Sequence, residues 1–128
     1  MNQILIADDD QTTRDLFSSF FKDRGYEAEV FQDGNSVLAH LSSNRPYMLL
    51  VNVQMPGISG MEILQQSLQL YPDLPVIVIS CYADKSLARQ ALRMGAYDFF
   101  LTPLDLDTVE LRLSAKLGLL KMTGEAGG

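Results

Sequence analysis

Three consecutive carboxylates, Asp8, Asp9 and Asp10, follow the apolar run Ile4-Leu5-Ile6. Carboxylate oxygens are hard donors suited to Mg²⁺, and negative charge is also favourable where a strand turns into a helix N-terminus. Asp10 is read as a cap of the following helix rather than as a third ligand. Four other polar groups fall near the ends of apolar runs: Asn52, Ser80, Cys81 and Thr102, the last in a Thr-Pro pair. Asn52 offers a neutral, weakly nucleophilic amide oxygen, and Ser80 and Thr102 offer hydroxyls without charge. Cys81 has no CxxC or Cys/His companion, so it reads as a small residue packed at a strand end and not as a redox or metal site. His40 is isolated on a short helical segment, with no pattern of metal or phosphorelay partners around it.

The elements that must position these groups alternate from residue 3 to about residue 120. Apolar runs of strand length recur at Gln3 to Ala7, Glu27 to Phe31, Tyr47 to Asn52, Val76 to Ser80 and Tyr97 to Leu101. Segments of helical period begin near Thr12, Asn35, Gly60, Lys85 and Asp105, giving five βα units. Met48-Leu49-Leu50-Val51 and Val76-Ile77-Val78-Ile79 are continuously apolar, as parallel strands covered on both faces require. Glu27 and Glu29 alternate with Ala28 and Val30, which marks the second strand as an edge. Gly25 and Gly95 are expected to close the first and fourth helices, and Asp105 to cap the fifth. Right-handed crossovers then predict an α/β three-layer sandwich whose ligand crevice lies at the carboxyl ends of the strands. Residues 1–122 form the predicted domain and 123–128, small and Gly-rich, a tail or linker.

ILIADDD, LLVNVQMPGISGMEIL, VIVIS and GAYDFFLTP, with the spacings between them, resemble the receiver domain of bacterial response regulators over essentially the whole chain. The resemblance implies the flavodoxin-like, doubly wound (βα)5 fold with parallel sheet order 2-1-3-4-5. It also implies a role in two-component signalling or transcription control as a non-enzymatic module, while the lone Cys81 and the lack of a basic, apolar leader or membrane-spanning stretch give the expectation of a cytoplasmic location. In that family an acidic pair after the first strand binds Mg²⁺, and an Asp ending the third strand accepts a phosphoryl group. A Lys before Pro contacts that group, while a Ser or Thr and an aromatic report the change. Asp8 and Asp9 match the acidic pair, Ser80 the hydroxyl and Phe99 the aromatic; Asn52 and Thr102 depart from the acceptor and the Lys.

An aspartyl phosphate needs an ionised carboxylate as nucleophile, so Asn52 is not a phosphoacceptor. Without the Lys, positive charge is missing where phosphoryl oxyanions would develop. Replacing carboxylate and ammonium together by amide and hydroxyl removes an ion pair without stranding either charge. The expectation is a naturally degenerate, phosphorylation-independent receiver that requires no cofactor and binds Mg²⁺ only weakly through Asp8 and Asp9. The competing expectation is a phosphorelay protein that uses Asp8 or Asp9 as a non-standard acceptor.

A net charge of −6 over 128 residues argues against direct binding of nucleic acid or anionic membrane. The chain lacks GxGxxG and Walker patterns, which argues against a nucleotide or flavin site. On this acidic chain Lys85, Arg89 and Arg93 recur every four residues, opposite Leu87, Ala88, Ala91 and Leu92. They are candidates for binding a protein partner or effector domain. The fifth helix carries more apolar residues than one buried stripe needs, among them Leu106, Leu111, Leu119 and Met122. The resemblance therefore also implies a homodimer through the fourth helix, fifth strand and fifth helix.

Overall fold

A computed structural model describes residues 2–122; the expected tail at 123–128 lies outside the described residues. Five parallel strands form one sheet in the order β2-β1-β3-β4-β5. They are β1 (Gln3–Ala7), β2 (Glu27–Phe31), β3 (Met48–Asn52), β4 (Val76–Cys81) and β5 (Asp98–Thr102). The intervening helices are α1 (Gln11–Asp23), α2 (Gly34–Leu41), α3 (Gly60–Leu70), α4 (Lys85–Met94) and α5 (Leu106–Met122). The expected fold class and strand order are observed, and β2, with Glu27, Glu29 and Val30 exposed, lies at the edge.

Successive strand residues point to opposite faces, so each apolar run supplies two cores. Ile4, Ile6, Met48, Leu50, Ile77 and Ile79 pack with Phe17 and Phe21 of α1 and with Val109 and Leu113 of α5. Leu5, Ala7, Leu49, Val51, Val76 and Val78 pack on the other face with Val37, Leu41, Ile63, Leu64 and Ala91. Each fully buried Leu or Ile contributes about 1.5–3 kcal/mol. The Phe17–Phe20–Phe21 cluster is core, as its helical spacing predicts.

Several boundaries shift. Tyr47 precedes β3, joined to β1 by its N–H to the Gln3 carbonyl, and β5 starts at Asp98 instead of Tyr97. β4 runs one residue further, to Cys81, and a single 3-10 turn at Tyr82–Asp84 intervenes before α4. Asp10 and Asp33 cap α1 and α2 by accepting from the Thr13 and Ser36 amides. Gly25 and Gly95 follow their helices with φ of 87° and 112°, conformations only glycine adopts without strain. Asp105 precedes α5, where its carbonyl accepts the Val109 N–H and its carboxylate the Thr108 hydroxyl.

Candidate functional site

Parallel pairing brings the ends of β1, β3 and β4 level, with Ala7 opposite Val51 and Asn52 opposite Ile79. Asp8 therefore emerges beside Asn52 at the carboxyl edge of the sheet. The first turn of α3 is drawn against this edge: the Gly60 N–H donates to the Val53 carbonyl at 2.9 Å. A Cβ on Gly60 would lie 2.0 Å from the Asn52 carbonyl oxygen, so only glycine fits.

Asp8 is 1% exposed and both its carboxylate oxygens are occupied. Oδ1 accepts the Asp10 N–H at 2.9 Å, and Oδ2 accepts the Asn52 side-chain amide at 3.1 Å. Burial raises the Asp8 carboxyl above the usual carboxylate range, opposed by these two donors and reinforced by the charges of Asp9 and Asp10. Asn52 Oδ1 accepts the Gln54 N–H at 2.8 Å, which fixes the amide nitrogen toward Asp8. A carboxylate at position 52 would accept from Gln54 equally well, but would present oxygen to Asp8 and need a cation or proton between them.

The remaining acidic residues are disposed differently. Asp9 is exposed, and Asp10 is turned back onto its helix, accepting the Thr13 amide and hydroxyl at 3.0 and 2.7 Å. Each Asp8 oxygen accepts an N–H donor, Asn52 directs its oxygen to the Gln54 amide, and no group of three His, Cys, Asp or Glu side chains converges among the described residues, so a divalent cation at Asp8 would have to displace the Asn52 amide.

Sequence reasoning missed Arg14. The residue is 8% exposed, and its guanidinium donates to the Asp8 carbonyl at 2.7 Å. Its only sequence signal is a basic residue four positions after the capping Asp10.

On the other side of the pocket, Ser80 is buried, but its hydroxyl does not reach across. It donates instead to the carbonyls of Cys81 and Asp84, at 3.3 and 3.2 Å. Cys81 corrects the expectation of a packed side chain. It is exposed, with Sγ 3.2 Å from Asp84 Oδ2, because α4 begins only at Lys85 and no helix covers the strand end. Asp84 also accepts the Gln54 side-chain amide at 2.6 Å, joining the loop after β3 to the turn after β4. Thr102 is half-buried beside Cys81 in the ladder, and its hydroxyl has no hydrogen bond among the described residues.

Phe99 is half-buried. The Arg112 guanidinium lies 5.8 Å from its ring and pairs with buried Asp98, an ion pair absent from the sequence reading that ties α5 to β5. His40 is not isolated: its ring faces Gln3 Oε1 at 3.2 Å and Glu29 Oε2 at 3.7 Å, and serves the β1–β2–α2 edge far from the pocket.

Lys85, Arg89 and Arg93 are exposed along α4, and Lys85 also lies over the exposed ring of Tyr82, 4.5 Å from its centroid. Leu92, expected on the buried face, is 40% exposed, because the sheet contacts only the narrow stripe of Ala88 and Ala91. On α5, Val109, Leu113, Leu117 and Leu120 are buried, whereas Leu106, Leu111, Leu119 and Met122 reach the surface as expected. No helix among the described residues is long and apolar enough to cross a membrane.

Comparison with known proteins agrees with this architecture. The chain is 36% identical over 104 residues to the DNA-binding transcriptional regulator NtrC of Salmonella typhimurium, covering 81% of this chain and 22% of that protein. It therefore spans about a quarter of the length of the curated relatives it matches first. The crystal structure of NtrX from Brucella abortus superposes with a TM-score of 0.85 at 30% identity, over 98% of this chain and 28% of that one. The chemotaxis response regulator CheY4 of Vibrio cholerae shares the fold, with a TM-score of 0.79 at 24% identity, over 90% of this chain and 98% of that one. Residues 4–114 match the response regulator receiver domain, and the chain belongs to that family of two-component signalling modules, which are not themselves enzymes.

Proposed function

We propose that this receiver domain signals without phosphorylation at the end of its third strand and acts as a protein-interaction module. The observation that carries this reading is the Asn52 amide. Its oxygen is held by the Gln54 N–H and its nitrogen donates to Asp8, so the pocket is closed by hydrogen bonds where an acceptor would need a free carboxylate oxygen. Thr102 adds no charge opposite it, so a phosphoryl group would meet an acidic pocket without the ammonium that a Lys would supply there. Asp8 is a poor substitute acceptor because both its oxygens are engaged. Mg²⁺ binding at Asp8 and Asp9 is weak on this reading, since a cation must first displace the Asn52 amide from Asp8.

The docking face is α4. Lys85, Arg89 and Arg93 form a line of exposed cations on a chain of net charge −6, and none has a carboxylate within salt-bridge distance among the described residues. An acidic surface of a protein partner or effector domain is complementary to it. A second copy is accommodated by the neighbouring face of β5 and α5, where Leu111, Leu119 and Met122 are exposed. One relative, NtrC of Salmonella typhimurium, is a DNA-binding transcriptional regulator of which this chain covers only 22%, which supports a place in transcription control with any DNA contact made outside this domain.

Intact-mass and peptide mass spectrometry after incubation with acetyl phosphate and Mg²⁺ tests the reading. An unchanged mass is expected. Gain of one phosphoryl group on Asp8 or Asp9 would overturn it in favour of a relay with a non-standard acceptor.

A further inference from the structure

We propose that Gln54 and Asp84 form a latch through which the acidic pocket holds the start of α4, and with it the basic docking face, in one position. The inference deepens the preceding reading, since it concerns regulation of the face assigned there to a partner. It rests on a directional chain of hydrogen bonds that crosses three loops. The Asn52 amide donates to Asp8, the Gln54 backbone N–H donates to Asn52, and the Gln54 side chain donates to Asp84 at 2.6 Å. Gln54 is thus held from the pocket side through its backbone and reaches the α4 side with its side chain.

Asp84 is the receiving end, and three groups converge on it. Its carboxylate accepts from Gln54 and from the Cys81 thiol, and its backbone carbonyl accepts from the Ser80 hydroxyl. Asp84 ends the 3-10 turn, and the next residue, Lys85, begins α4 and donates its N–H to the Tyr82 carbonyl. The turn packs little else: Cys81, Tyr82 and Ala83 are all exposed, and no residue in it is buried. A segment with so few apolar contacts is fixed mainly by its hydrogen bonds, and among the described residues the one side-chain bond reaching it from outside the β4–α4 segment, Gln54 to Asp84, ends on a carboxylate. Tyr82 and Lys85, stacked on one another, are carried by this turn.

Coupling between two ends of a chain is reciprocal, so Asp84→Ala tests the latch from the end remote from the pocket, and Gln54→Ala removes the same bond while leaving the Gln54 N–H to Asn52 in place. Gln54 is exposed, Asp84 is half-buried and neither belongs to a core cluster, so Gln54→Ala and Asp84→Ala leave both cores intact. Amide exchange and side-chain NMR of the full chain are read without any phosphodonor. The Leu49 amide of β3, bonded to the Pro75 carbonyl, is the reference for global stability.

The expected result has two parts. Exchange at Lys85, Arg89 and Gln90 rises about tenfold or more relative to Leu49 in both variants, the scale set by a hydrogen bond to a charged group. The Asn52 side-chain amide and the Asp10 N–H, at the far end of the chain, shift together with it. Unchanged exchange at α4 would overturn the latch, and so would a change confined to α4 with Asn52 and Asp10 unmoved. Phosphoryl gain from acetyl phosphate would sink the phosphorylation-independent reading while leaving this result to stand or fall by itself.

Discussion

The two sides of the pocket satisfy their polar groups in different ways. On the side built from β1 and β3, Asp8 accepts twice through its carboxylate, Asn52 is used at both ends of its amide, and buried Arg14 is spent on the Asp8 carbonyl. On the side built from β4 and β5, Ser80 turns outward to the following turn, and the Thr102 hydroxyl has no hydrogen bond among the described residues. Neighbours explain the contrast better than burial, since Asn52 and Thr102 are both half-buried and Ser80 is as buried as Asp8. Asn52 stands beside the buried Asp8 carboxylate, which must find a donor, whereas the half-buried Thr102 hydroxyl can use solvent. An amide at position 52 therefore has to fit a network, while a small polar residue at position 102 needs only to leave no charge behind.

The largest effect expected tests how rigid the first side is. Gly60→Ala places a methyl group 2.0 Å from the Asn52 carbonyl oxygen and 2.6 Å from Val53 Cα, both backbone atoms that cannot step aside. The end of β3 or the start of α3 must move, at a cost of about 3 kcal/mol, measured by urea denaturation. Wild-type stability in this variant would show that the strand end is soft and that the Asn52 geometry is not enforced by packing.

Next in size is a pair of substitutions that sets the two sides against each other. Asn52→Asp keeps the bond from the Gln54 N–H but replaces the donor to Asp8 with a second carboxylate. Loss of that bond and like-charge repulsion together should cost about 2 kcal/mol in metal-free buffer, and Mg²⁺ should restore most of it. Thr102→Lys on its own should stay within about 0.5 kcal/mol, because the site is half-buried and the new ammonium can reach water. Combined, the two should be more stable than the sum of their separate effects, since each then supplies the other's counter-charge. Thermal melts with and without Mg²⁺ measure all four corners of this cycle. A Thr102→Lys cost equal to that of Asn52→Asp would erase the distinction between the sides.

Most of the scaffold was legible in the sequence, and the reason is the period of its apolar residues. Ile4, Leu5 and Ile6 can all be buried only if both faces of the strand are covered, which forces parallel strands between helix layers. Edge strand β2 and the Asp10 and Gly95 caps are similarly local signals. The positions of Asn52, Thr102, Ser80 and Phe99 were recoverable through the family resemblance, because strand ends fix them. Arg14, the Asp98–Arg112 pair and the Gln54–Asp84 bond were not. Each depends on side-chain rotamers meeting across elements 6 to 30 residues apart, where no periodicity operates. Cys81 was misread for a related reason: a strand pattern shows which way a residue points and not whether a helix has begun above it.

The smallest effect expected is an order of titration, and it separates the buried carboxylate from the capping ones. Burial raises Asp8, whereas the Thr13 hydroxyl and N–H lower Asp10, and the Ser36 N–H and hydroxyl lower Asp33. With its folded value above its unfolded one, Asp8 binds more proton in the native state, so stability declines as pH rises through that window and is regained on acidification. Asp10 and Asp33 work in the opposite sense. Their contribution is present above the ordinary carboxylate range and is lost as pH falls through their depressed values. Carboxyl ¹³C shifts followed from neutral pH downward should show Asp8 protonating before Asp10 and Asp33, with the first turns of α1 and α2 fraying only afterwards. Asp8 titrating with or below the caps would mean that the donors from Asp10 and Asn52 outweigh its burial. In Asn52→Asp the order should be kept and the interval widened, because a second carboxylate adds to the penalty that burial already imposes on Asp8.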